Sequence, residues 1–161
     1  MVDNKRRADS REREDEIYNR VIEIKRVAKK TRGGNTISFT ALVVVGDRQN
    51  KVGVALGRGL DVLSAINKAK KRAQRNLFTV PMRGKTIPHD IQVKYGAARV
   101  LLKPAPPGSG IIASQSIKLV MEAAGYQDLS VKILGTNNKM TNVNAVIEAL
   151  KKLNYYGNQQ K

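Results

Sequence analysis

The chain has no cysteine and no tryptophan, and only one histidine and two phenylalanines in 161 residues. Without cysteine there is no disulfide, no thiolate metal site and no cysteine nucleophile. The lone histidine, His89, sits in a Pro-His-Asp segment with no partnered nucleophile or base, so it reads as structural rather than catalytic. Acids are scarce as well, and no pair of them has the spacing of a metal site or an acid/base couple. No catalytic residue, metal or cofactor is therefore expected. Aromatic residues make up 4% of the chain, too few for a protein that binds single strands by stacking bases on exposed rings. No apolar run approaches the length of a membrane span, and Met1 to Glu16 is too polar for a signal peptide. Membrane-surface binding would need a basic amphipathic helix with bulky anchors. The expected location is cytoplasmic, with no membrane partner.

What the chain has in excess is positive charge. Thirty Lys and Arg face thirteen Asp and Glu, a formal net charge of +17. Residues 1–80 carry nineteen basic and nine acidic side chains, and residues 81–161 carry eleven and four. Both halves are basic, so the charge is not confined to a tail. Such a chain repels itself unless a polyanion neutralises it, and nucleic acid is the commonest polyanion. With 41% hydrophobic residues it can still bury a modest core.

Patterning predicts an α+β chain. Residues 1–16 read as a flexible charged arm. Ile17 to Val27 fits a first strand, with an amphipathic helix as the alternative, followed by the basic loop Lys25 to Arg32 and the pair Gly33-Gly34. Thr36 to Gly46 alternates Ile37, Phe39, Ala41, Val43 and Val45. After a turn at Gly46 to Asn50, Lys51 to Gly57 returns with Val52, Val54 and Leu56 on one face, which completes a hairpin. Asp61 offers an N-cap to a helix whose apolar positions 62, 66, 69, 73 and 77 lie opposite the basic stripe Lys68, Lys71, Arg72 and Arg75. Val80 to Gly84 reads as a linker. Beyond it, Asp90 to Lys103 predicts one strand with a phase slip, hence a β-bulge, at Gly96-Ala97. Pro104 to Gly110 is a loop. Ser116 to Ala124 is a helix ended by Gly125, Ser130 to Leu134 a strand, and a last helix is capped by Thr141. The domains are thus residues 17–80, a β-β-β-α unit, and residues 86–153, a β-α-β-α unit, with a polar tail at 154–161.

Five basic residues within Lys25–Arg32, beside two glycines that tolerate close approach, form the strongest phosphate-contact candidate. Arg26, Lys29, Lys30, Arg32, Gly33 and Gly34 are therefore the primary RNA-binding residues. Lys51, Arg58, Lys68, Lys71, Arg72 and Arg75 are secondary. No acid lies between Asp61 and Asp90, so no i,i+4 pairing offsets the helix stripe. Backbone and shape recognition is expected rather than base stacking.

Two rival classes stay open on these residues. Gly57-Arg-Gly59 and Gly108-Ser-Gly110 are Gly-rich loops, and the second precedes a helix that could cradle phosphate. A small-molecule kinase of the galactokinase and homoserine-kinase type uses a comparable loop. Neither loop completes a nucleotide fingerprint, however. A free-standing RNA chaperone is the other rival.

The ordered motifs resemble a known family. Gly33-Gly34, the run Ser38 to Asp47, Val52-Gly53, Gly57-Arg58 and Ala65-Ile66-x-Lys68-Ala69 in the first half carry the likeness. In the second half it rests on Ala98-Arg99-Val100, Leu102-x-Pro104-Ala105, Gly108-x-Gly110-Ile111-Ile112-Ala113 and Gly135-x-Asn137-Asn138. All are similar to small-subunit ribosomal protein five, over about Val21 to Leu150. The resemblance implies a first unit like a double-stranded-RNA-binding domain, binding to small-subunit ribosomal RNA, and a part in assembly and decoding accuracy. It implies neighbours at small-subunit proteins four and eight and at messenger RNA where that strand enters the subunit. It also implies a protein interface at Gly96, Arg99, Gly108, Gly110, Ile111 and Ile112.

Overall fold

The computed structural model describes residues 17–153, so the arm at 1–16 and the tail at 154–161 lie outside the described residues. The first unit is β1 (Tyr18–Thr31), β2 (Gly34–Gly46), β3 (Lys51–Gly59), α1 (Val62–Arg75) and the short β4 (Phe78–Thr79). The second is β5 (Ile91–Tyr95), β6 (Ala98–Pro104), β7 (Ile111–Ile112), α2 (Gln115–Ala124), β8 (Leu129–Leu134) and α3 (Lys139–Lys152). The first sheet has the order β1-β2-β3-β4 and is antiparallel throughout. The second has the order β5-β6-β8-β7, with only the β7–β8 pair parallel. This is the expected α+β architecture, a β-β-β-α unit followed by a region of strands and helices.

The first sheet is covered on both faces. On one, Ala41, Val43, Val45 and Ala55 meet Ala65, Ala69 and Ala73 of α1. The helix lies very close, because β3 turns glycines toward it. A Cβ on Gly57 would sit 2.2 Å from the carbonyl oxygen of Ala65, and one on Gly53 would sit 2.4 Å from that of Ala73. On the other face, Leu42, Val44 and Val52 join the core of the second unit. The predicted face Val52, Val54 and Leu56 thus packs on the second unit rather than on α1. The inward stripe of α1 is an alanine ladder, with Ile66 and Leu77 at its flanks.

In the middle, α2 packs on the first sheet and α3 on β5 and β6. The layers run α1, first sheet, α2 with α3, second sheet. The seam is bonded as well as packed. The Arg48 N–H donates to the Ala123 carbonyl at 3.0 Å, and the Tyr126 hydroxyl donates to the Pro81 carbonyl at 2.8 Å. A Cβ on Gly46 would collide with that same Ala123 carbonyl. The segment expected as a linker is therefore packed down, with Val80 and Pro81 buried.

Three local expectations need correction. Asp90 to Lys103 is not one bulged strand but a hairpin. Gly96 and Ala97 form its two-residue turn, Tyr95 pairs with Ala98, and Gly96 has φ +57, the first turn position at which a type II′ turn requires glycine. The phase slip read as a bulge is this reversal. The last helix is capped by Asn138, whose side chain accepts from the Met140 N–H at 3.1 Å, so Thr141 falls inside the first turn. The basic run Lys25 to Thr31 is strand rather than loop, since every residue in it pairs with a residue of β2. Its β-branched Val27 and Thr31, with Ile37 and Thr36 on the facing strand, supply the strand preference that charge had masked. Asp61 caps α1 as expected, accepting from Ser64 N–H, and Gly125 ends α2 in the left-handed region at φ +97.

Candidate nucleic-acid interface

Beyond Ile24 the first two strands leave the body of the protein. Residues 24–37 are all exposed and form a two-stranded ribbon closed by the turn Arg32-Gly33. Seven strand residues at about 3.4 Å each give it a reach of roughly 24 Å. Gly34 carries the unusual torsion at the tip, φ +127, and the Thr31 hydroxyl donates to its carbonyl at 2.8 Å. Nothing lies within 4 Å of a Cβ built on Gly33 or Gly34, so the tip has free space around it.

Register fixes where the charges point, because residues directly opposite in an antiparallel pair share a face. Arg26 stands opposite Phe39, and Lys30 opposite Asn35, on the side of α1. Lys25 opposite Thr40, and Lys29 opposite Thr36, take the other side. The ribbon is cationic on both faces, a form suited to insertion between two phosphate backbones. At its foot a bulge between Val21 and Glu23 re-aims β1. There Glu23 pairs with Lys25 at 3.2 Å and Lys139 at 3.4 Å, tying the ribbon to the start of α3.

Five of the six secondary candidates come together. Arg58, Lys68, Lys71, Arg72 and Arg75, with Leu56 and Gly57, line an open groove of about 440 Å³ between α1 and β3. No acid lines it. β4 pairs with β3 only at Lys51 and Val52, which leaves the edge of β3 open along the groove. The Arg72 guanidinium donates to the Leu56 carbonyl on that edge at 3.1 Å. Arg58 Nε donates to Ser38 Oγ at 3.1 Å, which links the groove to the foot of the ribbon. Lys51 stands apart, at the opposite end of β3, opposite Thr79.

The expected protein-interface residues do not form one cluster. Gly96 lies in the β5–β6 turn and Arg99 pairs with Leu134 at one end of β8. Ile111 and Ile112 pair with Leu129 and Ser130 at the other end. Sequence reasoning missed what shapes the loop before them. The buried carboxylate of Asp128 accepts from Gly108 N–H at 3.0 Å and Gly110 N–H at 2.9 Å, and the loop wraps around it. No local signal marks it, because the loop it holds lies 18 to 20 residues earlier in the chain. His89 Nδ1 is buried with no hydrogen-bond partner, no member of a catalytic cluster. Among the described residues no group of His, Cys, Asp or Glu is placed to hold a metal ion, and no helix is long and apolar enough to cross a membrane.

One further electrostatic feature holds the body together. Burial of Asp47 acts to raise its pKa, but backbone N–H groups of Asn50, Lys51 and Gln49 donate to its Oδ1 at 2.8 to 3.0 Å. Together they hold the carboxyl below its ordinary value. The turn so fixed carries Arg48 at φ +57, with its guanidinium 4.1 Å from the centre of the Tyr18 ring.

Comparison with known proteins agrees with this arrangement. A family model described as ribosomal protein S5, N-terminal domain, matches residues 17–81, and one described as ribosomal protein S5, C-terminal domain, matches residues 93–161. A Mycoplasma mobile protein named small ribosomal subunit protein uS5 is 48% identical over 143 residues, covering 88% of this chain and 59% of the relative. The chain thus spans under two thirds of that relative's length. A Porphyra purpurea protein named small ribosomal subunit protein uS5c is 39% identical over 162 residues, covering 100% of this chain and 93% of the relative. A Rubrobacter xylanophilus protein named uS5 is 46% identical over 138 residues, covering 86% and 69%.

Proposed function

The chain belongs to the ribosomal protein S5 family, and on that premise we propose that it is a structural constituent of the small ribosomal subunit that binds small-subunit ribosomal RNA. It catalyses no reaction. Its work is phosphate neutralisation and shape fitting. The observation that carries this reading is the grouping of cations on the exposed ribbon and in the acid-free groove that Arg58 links to its foot. Arg26, Lys29, Lys30 and Arg32 project on the ribbon, and Arg58 joins them to Lys68, Lys71, Arg72 and Arg75. Gly33 and Gly34 keep the tip narrow enough for a tight RNA space. Lys51 contributes at a separate point.

The finer assignments rest on the family resemblance. Small-subunit proteins four and eight are neighbours, messenger RNA passes close to where it enters the subunit, and the chain contributes to assembly and decoding accuracy. Gly96 with Arg99, and Gly108 with Gly110, Ile111 and Ile112, occupy opposite ends of β8, which suits contacts to two different neighbours.

The test is a salt titration of the full chain on purified small-subunit ribosomal RNA. Six to ten phosphate contacts predict a loss of affinity of about 10³- to 10⁵-fold between 50 and 200 mM salt. A flat response excludes the mechanism. Co-sedimentation with small subunits at ordinary salt separates this reading from a free-standing RNA chaperone, which would stay at the top of the gradient.

A further inference from the structure

The second sheet is covered on one face only. Val93, Val100, Leu102 and Val131 are buried toward the helices. Alternation turns Lys94, Arg99, Lys103 and Lys132 to the opposite, outermost face, and all four are exposed. None of them forms an ion pair among the described residues, and no acidic residue lies within β5, β6 or β8.

Register makes this more than a solvated surface. Lys94 stands directly opposite Arg99 on the neighbouring strand, about 5 Å away between Cα atoms. Like charges placed directly across a ladder destabilise a sheet. Arg99 in turn faces Leu134, and Leu101 faces Lys132. The face therefore holds four cations around a small apolar centre and no compensating carboxylate.

We infer that this outer face is a second RNA-backbone surface, separate from the ribbon and groove. The inference rests on the ribosomal reading above, and it moves Arg99 from a protein contact to an RNA contact. Three observations favour RNA over a protein partner. Three of the four cations are lysine, which protein interfaces deplete. The opposed Lys94–Arg99 pair is relieved by an anion lying across both. No aromatic side chain projects from this face, so backbone rather than base is what it fits. The face is also the outermost layer on the side away from α1, three layers from the groove, on the order of 10 Å per layer. One phosphate strand cannot lie on both surfaces at once without wrapping the molecule.

The absence of cysteine makes the test direct. A single Gln92→Cys change places a thiol on this face, and Asn35→Cys places one on the ribbon. Each full-length variant, carrying a tethered iron chelate, is assembled into small subunits and used to cleave nearby chains with hydroxyl radicals. Cleavage of ribosomal RNA from both positions, at different places in the RNA, is expected. Cleavage from Asn35→Cys but not from Gln92→Cys overturns this inference and leaves the ribosomal reading standing. Protein cleavage without RNA cleavage from Gln92→Cys overturns it in favour of a protein partner. RNA cleavage from neither position defeats the ribosomal reading itself. As a second measurement, Lys94→Gln alone should raise the thermal midpoint of the free protein by relieving the opposed pair. A lowered midpoint counts against the charge argument.

Discussion

Arg58 Nε donates to Ser38 Oγ across 3.1 Å, from the rim of the groove to the foot of the ribbon. Ser38 is buried, while Arg58 is exposed, so the contact aims a solvent-facing cation from a fixed point. Arg58→Lys keeps the charge but cannot reproduce a planar guanidinium that binds with one nitrogen and presents the others. We expect weaker RNA binding with an almost unchanged salt slope. A variant that binds as the parent does would show that charge alone matters at this position.

The ribbon cations should act as counterion-releasing contacts. Lys29→Gln, Lys30→Gln and Arg32→Gln together should reduce the slope of log affinity against log salt by roughly 2 to 3. Because these residues lie on a fully exposed ribbon, folding stability should stay within about 0.5 kcal/mol of the parent. Parallel binding and denaturant titrations check both halves of the claim.

Glycines in this chain divide by what surrounds them. Gly57→Ala places a methyl 2.2 Å from the Ala65 carbonyl oxygen and 2.5 Å from the Ala69 nitrogen. Backbone cannot yield there without moving α1, so a loss of about 1–3 kcal/mol is expected. Gly33→Ala meets open space and should leave the urea midpoint unchanged while impairing RNA binding if the tip enters a narrow site.

Asp47 gives a pH dependence with a definite sign. Its folded pKa lies below the ordinary value of 3.8, so the carboxylate contributes stability above that value. The contribution is lost as pH falls through the lowered folded pKa. Asp47→Asn mimics the neutral form and should be less stable than the parent near neutrality. The two thermal midpoints should converge on acidification below 3.8, and a gap that widens in acid would contradict the assignment.

Much of this was legible in the sequence, for identifiable reasons. Strand alternation in β2 and β3, the Asp61 cap and the Gly125 stop are local signals, and each formed as read. The ribbon was obscured because five cations in Lys25–Arg32 resemble a solvated loop, and only cross-strand partners reveal a strand. The hairpin at Gly96-Ala97 and a bulge both shift the alternation, and periodicity alone does not separate them. The alanine ladder of α1 was half visible. Gly53, Gly57 and Gly59 fall on one face of β3, and their alternation with Val52, Val54 and Leu56 marks the close approach. The groove was foreshadowed by the helix stripe, but the place of Arg58 in it depends on the β3 edge. The separation of Gly96 and Arg99 from Ile111 and Ile112 follows from the register of β8, a non-local property.

The middle helices serve two sheets at once, and this bears on how the molecule could be divided. A fragment ending near Pro81 would strip the cover from Leu42, Val44 and Val52, which pack in the core shared with the second unit. The complementary fragment would lose the wall against which Val120 and Ala123 rest. Each half alone would be a sticky body with an open hydrophobic side, so the two units are expected to fold as one.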